Sequence, residues 1–285
     1  MSNTVMRQLE RFLEVHVGSE MLERLDLMQG TLNERATDDF GFAPQNLKWA
    51  MPFCHFLHRY WFRVESHGLE NLPAGRTLLV SNHSGQIPID AMMIVTTILL
   101  NSEPPRPVRS MVERWVSTLP YANVLFSRLG QVLGTPENCR HLLEREEAVL
   151  VFPEGTRGIN KTYDKAYQLQ NFGHGFMRLA LETKAPIVPI AVVGAEEQYP
   201  TVWNARAVAK ILGVPALPIA PTMLIPGLGL LPLPVKYRIY FGQPMQFEGD
   251  AYEDESDIER KVSEVQDQIS SLLQRGLDVR QGFFN

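Results

Sequence analysis

A chain of 285 residues and 32.3 kDa has room for one large domain whose core needs neither disulfides nor a structural metal. Its 27 Lys and Arg against 32 Asp and Glu leave a formal charge of −5, which argues against a nucleic-acid protein held by bulk charge. Cys54 and Cys139 stand without CxxC or Cys/His metal spacing, which excludes a disulfide scaffold and a zinc module, and two thiols fit a reducing compartment.

Arg7, Glu10, Arg11 and Glu14 interrupt the apolar positions of the first seventeen residues, so no secretory h-region forms there. Leu9, Phe12, Leu13, Val17, Leu22, Leu25 and Met28 recur near three-to-four spacing and predict an amphipathic helical start. Trp49, Phe53, Phe56 and Tyr60 form a second helical stripe, broadened by Leu57 and Trp61, with His55, His58 and Arg59 on the other face. Two readings of it stand. One is a helix facing the core. The other is an interfacial helix, because Trp and Tyr favour the headgroup level and basic groups favour anionic lipid.

From residue 60 onward strands alternate with helices. Short β-rich runs fall at 61–65, 77–81, 108–112, 148–152, 187–193 and 236–241. Helical stretches fall at 89–100 after Pro88, at 136–146, at 173–183 and at 255–275. The second is announced by Thr135, Pro136 and Glu137, a cap, a first-turn proline and a first-turn acid. Such alternation predicts one α/β domain. Residues 211–235 carry no charge, yet hold Pro215, Pro218, Pro221, Pro226, Pro232 and Pro234. Each interior proline deletes a helix hydrogen bond, so this run cannot satisfy its own backbone in lipid and is not a spanning helix.

Chemistry gathers at two strand ends. The run 77–81 leads directly into Asn82, His83 and Ser84, and His83 sits where α/β sheets place their sites. Asp90 lies in the first turn of the helix after Pro88. If the loop folds back, its carboxylate holds one imidazole nitrogen and leaves the other free to take a proton. Seven residues of continuous helix span roughly 10 Å, so the chain must turn at Gly85 and Pro88 for this contact to form. The competing reading is a capping Asp and a loop His that never meet. The second strand end, after 148–152, carries Pro153, Glu154, Gly155, Thr156, Arg157 and Gly158. Arg157 could clamp a phosphate bidentately, and Gly155 lets backbone donors approach an anion.

NHSGQIPID at 82–90 and FPEGTRG at 152–158 together resemble the first and third motifs of the glycerolipid acyltransferase superfamily, the 1-acylglycerol-3-phosphate acyltransferases and their relatives. The segments 127–138 and 185–190 are similar to its second and fourth. The usual first motif is H-x4-D; the H-x6-D of His83 and Asp90 looks like the branch related to mono- and diacylglycerol acyltransferases. The resemblance implies a single α/β domain over 60–285, with a central mixed β-sheet flanked by helices and an N-terminal helical segment over 1–59. It implies His83 as general base and Asp90 as its orienter, with direct attack of an acceptor hydroxyl on an acyl thioester. No G-x-S-x-G nucleophile elbow is present. Glu154, Gly155, Thr156, Arg157 and, on a looser motif, Arg128 would bind the acceptor head group.

No cofactor is expected beyond the thioester co-substrate, acyl-CoA or acyl carrier protein. The expected partners are that thioester, a lipid acceptor and a membrane surface met peripherally or monotopically, with no nucleic acid and no metal. The expected location is cytoplasmic, peripheral on the inner face of a membrane. Two other readings use the same residues: a thioester hydrolase, and a non-catalytic lipid-binding protein. The 211–235 run, with Leu224, Ile225, Leu228, Leu230, Leu231 and Leu233, is expected either to dock on a leaflet, flanked by Arg206, Lys210, Lys236 and Arg238, or to pack against the sheet or the acyl tunnel.

Overall fold

In a computed structural model the described residues are 23–25, 37–84, 88–115, 121–205, 208–209, 218–224 and 231–285. The expectations for Leu9 to Leu22, Met28, Arg206, Lys210 and most of 211–235 lie outside them. Pro44 occupies the first turn of α1 (Pro44–Phe56), where its missing N–H costs nothing. The helix widens into a π turn over Leu57–Trp61, closed by Phe62 N–H donating to the Leu57 carbonyl at 2.8 Å. The strand expected at 61–65 is therefore a correction. Phe62 is fully buried against the Tyr237 ring, with centroids 4.6 Å apart, and this anchor holds the helical path up to it. β1 begins only at Glu65 (Glu65–His67).

β2 (Thr77–Ser81) precedes α2 (Ile89–Asn101), and β3 (Val108–Val112) precedes α3 (Ala122–Arg128). Then follow β4 (Val132–Leu133), α4 (Pro136–Glu144), β5 (Ala148–Val151), a single helical turn Thr156–Ile159, α5 (Gly175–Thr183) and β6 (Ile187–Val193). A two-strand ribbon, β7 (Trp203–Asn204) with β8 (Pro218–Ile219), precedes β9 (Arg238–Phe241) and α6 (Glu255–Val279). The main sheet runs β1-β9-β6-β2-β5-β3-β4. Its centre is parallel, β6, β2, β5, β3 and β4, while β9 lies antiparallel on β6.

Parallel strands covered on both faces read as continuous apolar runs, and β2 and β6 are buried at every position. Alternation then splits each strand between two layers. Leu78, Val80 and Val149 pack against α4, α5 and α6 through Leu142, Phe176, Leu179 and Val265. Leu79, Leu150 and Ile190 pack on the other face against α2 through Met93, Ile94 and Ile98. α1 lies outside α2, where Met51, Leu47 and Cys54 meet Leu99 and Leu100. Among the described residues no helix is long and apolar enough to cross a membrane. The far end of the charge-free run returns to the body: Leu233 N–H donates to the Gln198 carbonyl at 2.9 Å, Pro232 accepts from the Trp61 indole at 3.1 Å, and Leu231 is left exposed.

Candidate active site

β2 and β5 are paired in register, Val80 opposite Val151, so the loops leaving their C-terminal ends emerge side by side. That is where open α/β sheets hold ligands. Asn82 fixes the first loop to the neighbouring strand, accepting from Val192 N–H at 2.8 Å and donating to the Val192 carbonyl at 3.2 Å. His83 follows it out of the sheet. Its Nδ1 lies 2.7 Å from Oδ2 of Asp90, so the two side chains meet as the first reading expects, while the expected turn at Gly85 lies outside the described residues. A carboxylate only accepts, so Nδ1 carries the proton and Nε2 is left as the basic nitrogen.

Asp90 is fully buried yet fully satisfied. Oδ2 also accepts from Ser84 N–H at 2.9 Å, and Oδ1 accepts from Ala91 N–H at 2.8 Å. Three donors hold one carboxylate in a single orientation, and it in turn holds the imidazole. On its other side the His83 ring stacks on Phe152, with centroids 4.2 Å apart and planes 25° from parallel. Packing and hydrogen bonding together leave this imidazole little rotational freedom.

His83 borders a pocket of about 330 Å³. Its inner wall is apolar, with Met111, Val151, Cys139, Phe176 and Leu179, and its polar margin carries Glu113, Thr135, Gly155 and Thr156. Burial, with the Glu137 charge adding to it, pushes the Cys139 thiol up to about 11, so it stays a neutral thiol and a poor nucleophile. Gly155 holds a left-handed φ of +56°, which lets the chain turn sharply from β5 into the Thr156–Ile159 turn beside Glu113.

The expected head-group residues divide. Gly155 and Thr156 line the pocket. Arg157 is exposed just past them and has no ion-pair partner among the described residues. Arg128 is exposed at the end of α3 and lines no part of the pocket. Glu154 is buried behind the loop, where Oε1 accepts from His83 N–H and Oε2 from Gln170 N–H, each at 2.9 Å. Sequence reasoning passed over Asn82, Phe152, Glu113 and Lys161. The first two lie inside the quoted motifs, whereas nothing local marks Glu113 or Lys161.

Residues 63–193 match the family described as Acyltransferase. An uncharacterized protein of Mycobacterium leprae is 36% identical over 268 residues, spanning 91% of this chain and 73% of that protein. The DGAT1/2-independent enzyme synthesizing storage lipids of Gallus gallus is 26% identical over 207 residues, 72% of this chain and 59% of that enzyme. Among solved structures, the 1-acyl-sn-glycerophosphate acyltransferase PlsC of Thermotoga maritima superposes with a TM-score of 0.52 over 98% of both chains, at 16% identity. That likeness is one of fold.

Proposed function

This chain belongs to the acyltransferase family, and we propose that it moves a fatty acyl group from an acyl thioester, acyl-CoA or acyl carrier protein, to a hydroxyl of a glycerol-based lysolipid or related acceptor. One observation carries the reading: the His83–Asp90 pair opens on an apolar pocket. A partly buried, oriented base beside an apolar chamber suits the joining of a hydroxyl to a fatty acyl chain.

In this mechanism Nε2 of His83 takes the hydroxyl proton as the oxygen attacks the thioester carbonyl. Asp90 stabilises the imidazolium that forms. The tetrahedral adduct collapses with cleavage of the C–S bond, and the leaving thiolate recovers the proton from Nε2. No acyl group need rest on the chain, in keeping with the neutral Cys139 thiol. Thr156 and the Gly155 backbone bound the acceptor, and the open fork of Arg157 is available to an anionic head group. An acceptor clamp has no use in a hydrolase, which favours transfer over hydrolysis.

The same reading has the protein meet its lipid substrates at a membrane surface without spanning the bilayer. Trp49, Phe53, Phe56 and Tyr60 all project from one face of α1 and its π turn, opposite the residues that pack on α2. From 44 to 64 the chain carries Lys48, Arg59 and Arg63 and no carboxylate, a charge pattern suited to anionic lipid. The test of activity is mass spectrometry of the purified protein with acyl-CoA and a panel of lysophospholipids and monoacylglycerols. Acylated lipid with stoichiometric release of CoA thiol is expected. Free fatty acid alone would overturn the proposal in favour of a hydrolase.

A further inference from the structure

Behind the His83 loop lies a buried chain of charge that the transfer reaction does not itself use. Lys161 projects from the loop after the Thr156–Ile159 turn, and its side chain is only 4% exposed. Its Nζ sits 3.5 Å from Oε2 of Glu154 and 2.8 Å from Oε1 of Glu196. Glu154 has a wholly buried side chain and spends its two oxygens on backbone N–H groups, one of them that of His83. Glu196 comes from the loop leaving β6, so the cluster joins chain segments that follow β5 and β6, the two strands flanking β2.

We propose that Lys161 is a positioning residue for His83, acting through Glu154, with Glu196 anchoring Lys161 from the β6 side. The proposal rests on His83 being the base. A carboxylate removed from water needs a counter-charge or it takes up a proton. Only the carboxylate form offers acceptors on both oxygens, because a protonated carboxyl keeps one good acceptor and turns the other oxygen into a donor. Without Lys161, either His83 N–H or Gln170 N–H loses its partner, and the loop that aims the imidazole loosens. Gly158 shows how tightly this brace is built. A Cβ there would lie 3.0 Å from the Glu154 Cβ and 3.1 Å from the His83 Cβ.

The charges around Glu154 define what a titration would read. Lys161 and Glu196 face it, the His83–Asp90 pair lies beyond the His83 backbone, and Glu197 is occupied by Arg280 and Tyr167. Burial raises the Glu196 carboxyl, and Lys161 opposes that shift. Two carboxyls therefore share one ammonium.

The test is Lys161→Met, followed by turnover against pH with acyl-CoA and the best acceptor from the lipid panel. The expected result is a KM within about 2-fold for both substrates and a kcat down roughly 10-fold or more near neutral pH. It recovers to within about 3-fold on the alkaline side as the unpaired carboxyl ionises. Lys161→Arg restores the original profile. A loss equal at every pH, a loss confined to KM, or an unchanged profile in the folded variant would overturn the proposal. Should Lys161→Met fail to fold, Lys161→Met/Glu196→Gln removes the surplus anion together with its cation and is read by the same criteria. His83→Ala separates the two levels of inference. Full turnover there removes the base assignment and this proposal with it, whereas a dead His83→Ala beside an unaffected Lys161→Met removes this proposal alone.

Discussion

Glu154 reaches His83 through the backbone and not through the ring: its Oε1 accepts the His83 N–H at 2.9 Å, while Asp90 bonds the imidazole, at 2.7 Å. The two carboxylates thus have separate tasks. One aims the main chain, and the other sets the tautomer.

The first prediction follows from that division. His83→Ala should abolish transfer with little effect on the fold, because the imidazole lies at a loop end and not in the main clusters. Asp90→Asn keeps the shape but must present an amide where Asp90 now accepts three donors. Turnover should fall by about 10³–10⁴, the scale seen when a catalytic His loses its orienting carboxylate. Steady-state kinetics on folded variants decide this, and substantial turnover in His83→Ala would end the general-base mechanism.

Gly158→Ala is the second. The new methyl would meet the His83 carbonyl oxygen at 3.0 Å as well as the side chains of both brace partners. Relief requires the two loops to separate, at a cost of about 1–3 kcal/mol of stability. Turnover should fall with it, read by thermal melts and kinetics on one preparation. A variant as stable and as active as the parent would show that the loops separate freely.

Much of this arrangement was legible in the sequence, and the pattern of what was not has a physical basis. The strands Thr77–Ser81, Val108–Val112 and Ile187–Val193 coincide with the expected runs because each is a short β-rich run bounded by polar or turn residues. The start of α4 was legible too, since Thr135 Oγ1 accepts Asn138 N–H at 3.3 Å, as a capping residue should. The two-residue strand β4 and the helix Ala122–Arg128 were not, being too short for their periodicity to register. The His83–Asp90 contact could be posed but not decided, because it depends on a turn. Lys161, Glu196 and the fully buried Arg109, which meets Asp38 at 2.5 Å across 71 positions, depend on partners far away in the chain. No local pattern reports such pairs.

At the pocket margin the third prediction concerns charge. Arg157→Lys keeps the charge and loses the planar fork, so it should raise the KM for an anionic acceptor and leave that for monoacylglycerol nearly unchanged. Glu113 stands across from Gly155, with Oε1 3.6 Å from the position of a Cβ there. Glu113→Lys should move the preference toward lysophosphatidate by about tenfold, since a repelling charge becomes an attracting one. Paired competition assays between the two acceptors measure both effects. If Arg157→Lys changes neither KM nor turnover, Arg157 has no part in binding the acceptor.

The fourth is a pH effect on stability. His58 is buried where α1 meets α2, with Nε2 3.0 Å from the Thr97 hydroxyl. Burial, then the charges of His55 and Arg59, lower its pKa from 6.5 to about 4, so the folded protein holds it neutral. The unfolded chain binds a proton there more readily. The stabilisation is therefore full above about pH 6.5 and is lost as pH falls toward about 4, by roughly 3 kcal/mol in all. Denaturant melts across that range should slope less steeply in His58→Gln than in the parent. Identical slopes would assign the acid lability to other groups.

The last prediction concerns the membrane. Trp49, Phe53 and Tyr60 are 55%, 60% and 65% exposed on a helix whose other face is already packed, so the aromatic face has no partner within the described chain. Each large side chain moved from water into the interface contributes on the order of 1.5–3 kcal/mol. Trp49→Ser/Phe53→Ser should therefore reduce co-flotation with anionic vesicles by at least about tenfold, with the fold kept as judged by circular dichroism. Lys48 and Arg59 add an electrostatic component, so flotation of the parent should weaken with added salt and on neutral vesicles. The parallel variant Leu231→Asp probes the end of the charge-free run, whose exposed leucine is the other apolar side chain able to reach lipid there. Loss on the helix variant alone would assign docking to α1. Equal flotation of all three proteins would remove both surfaces from the membrane.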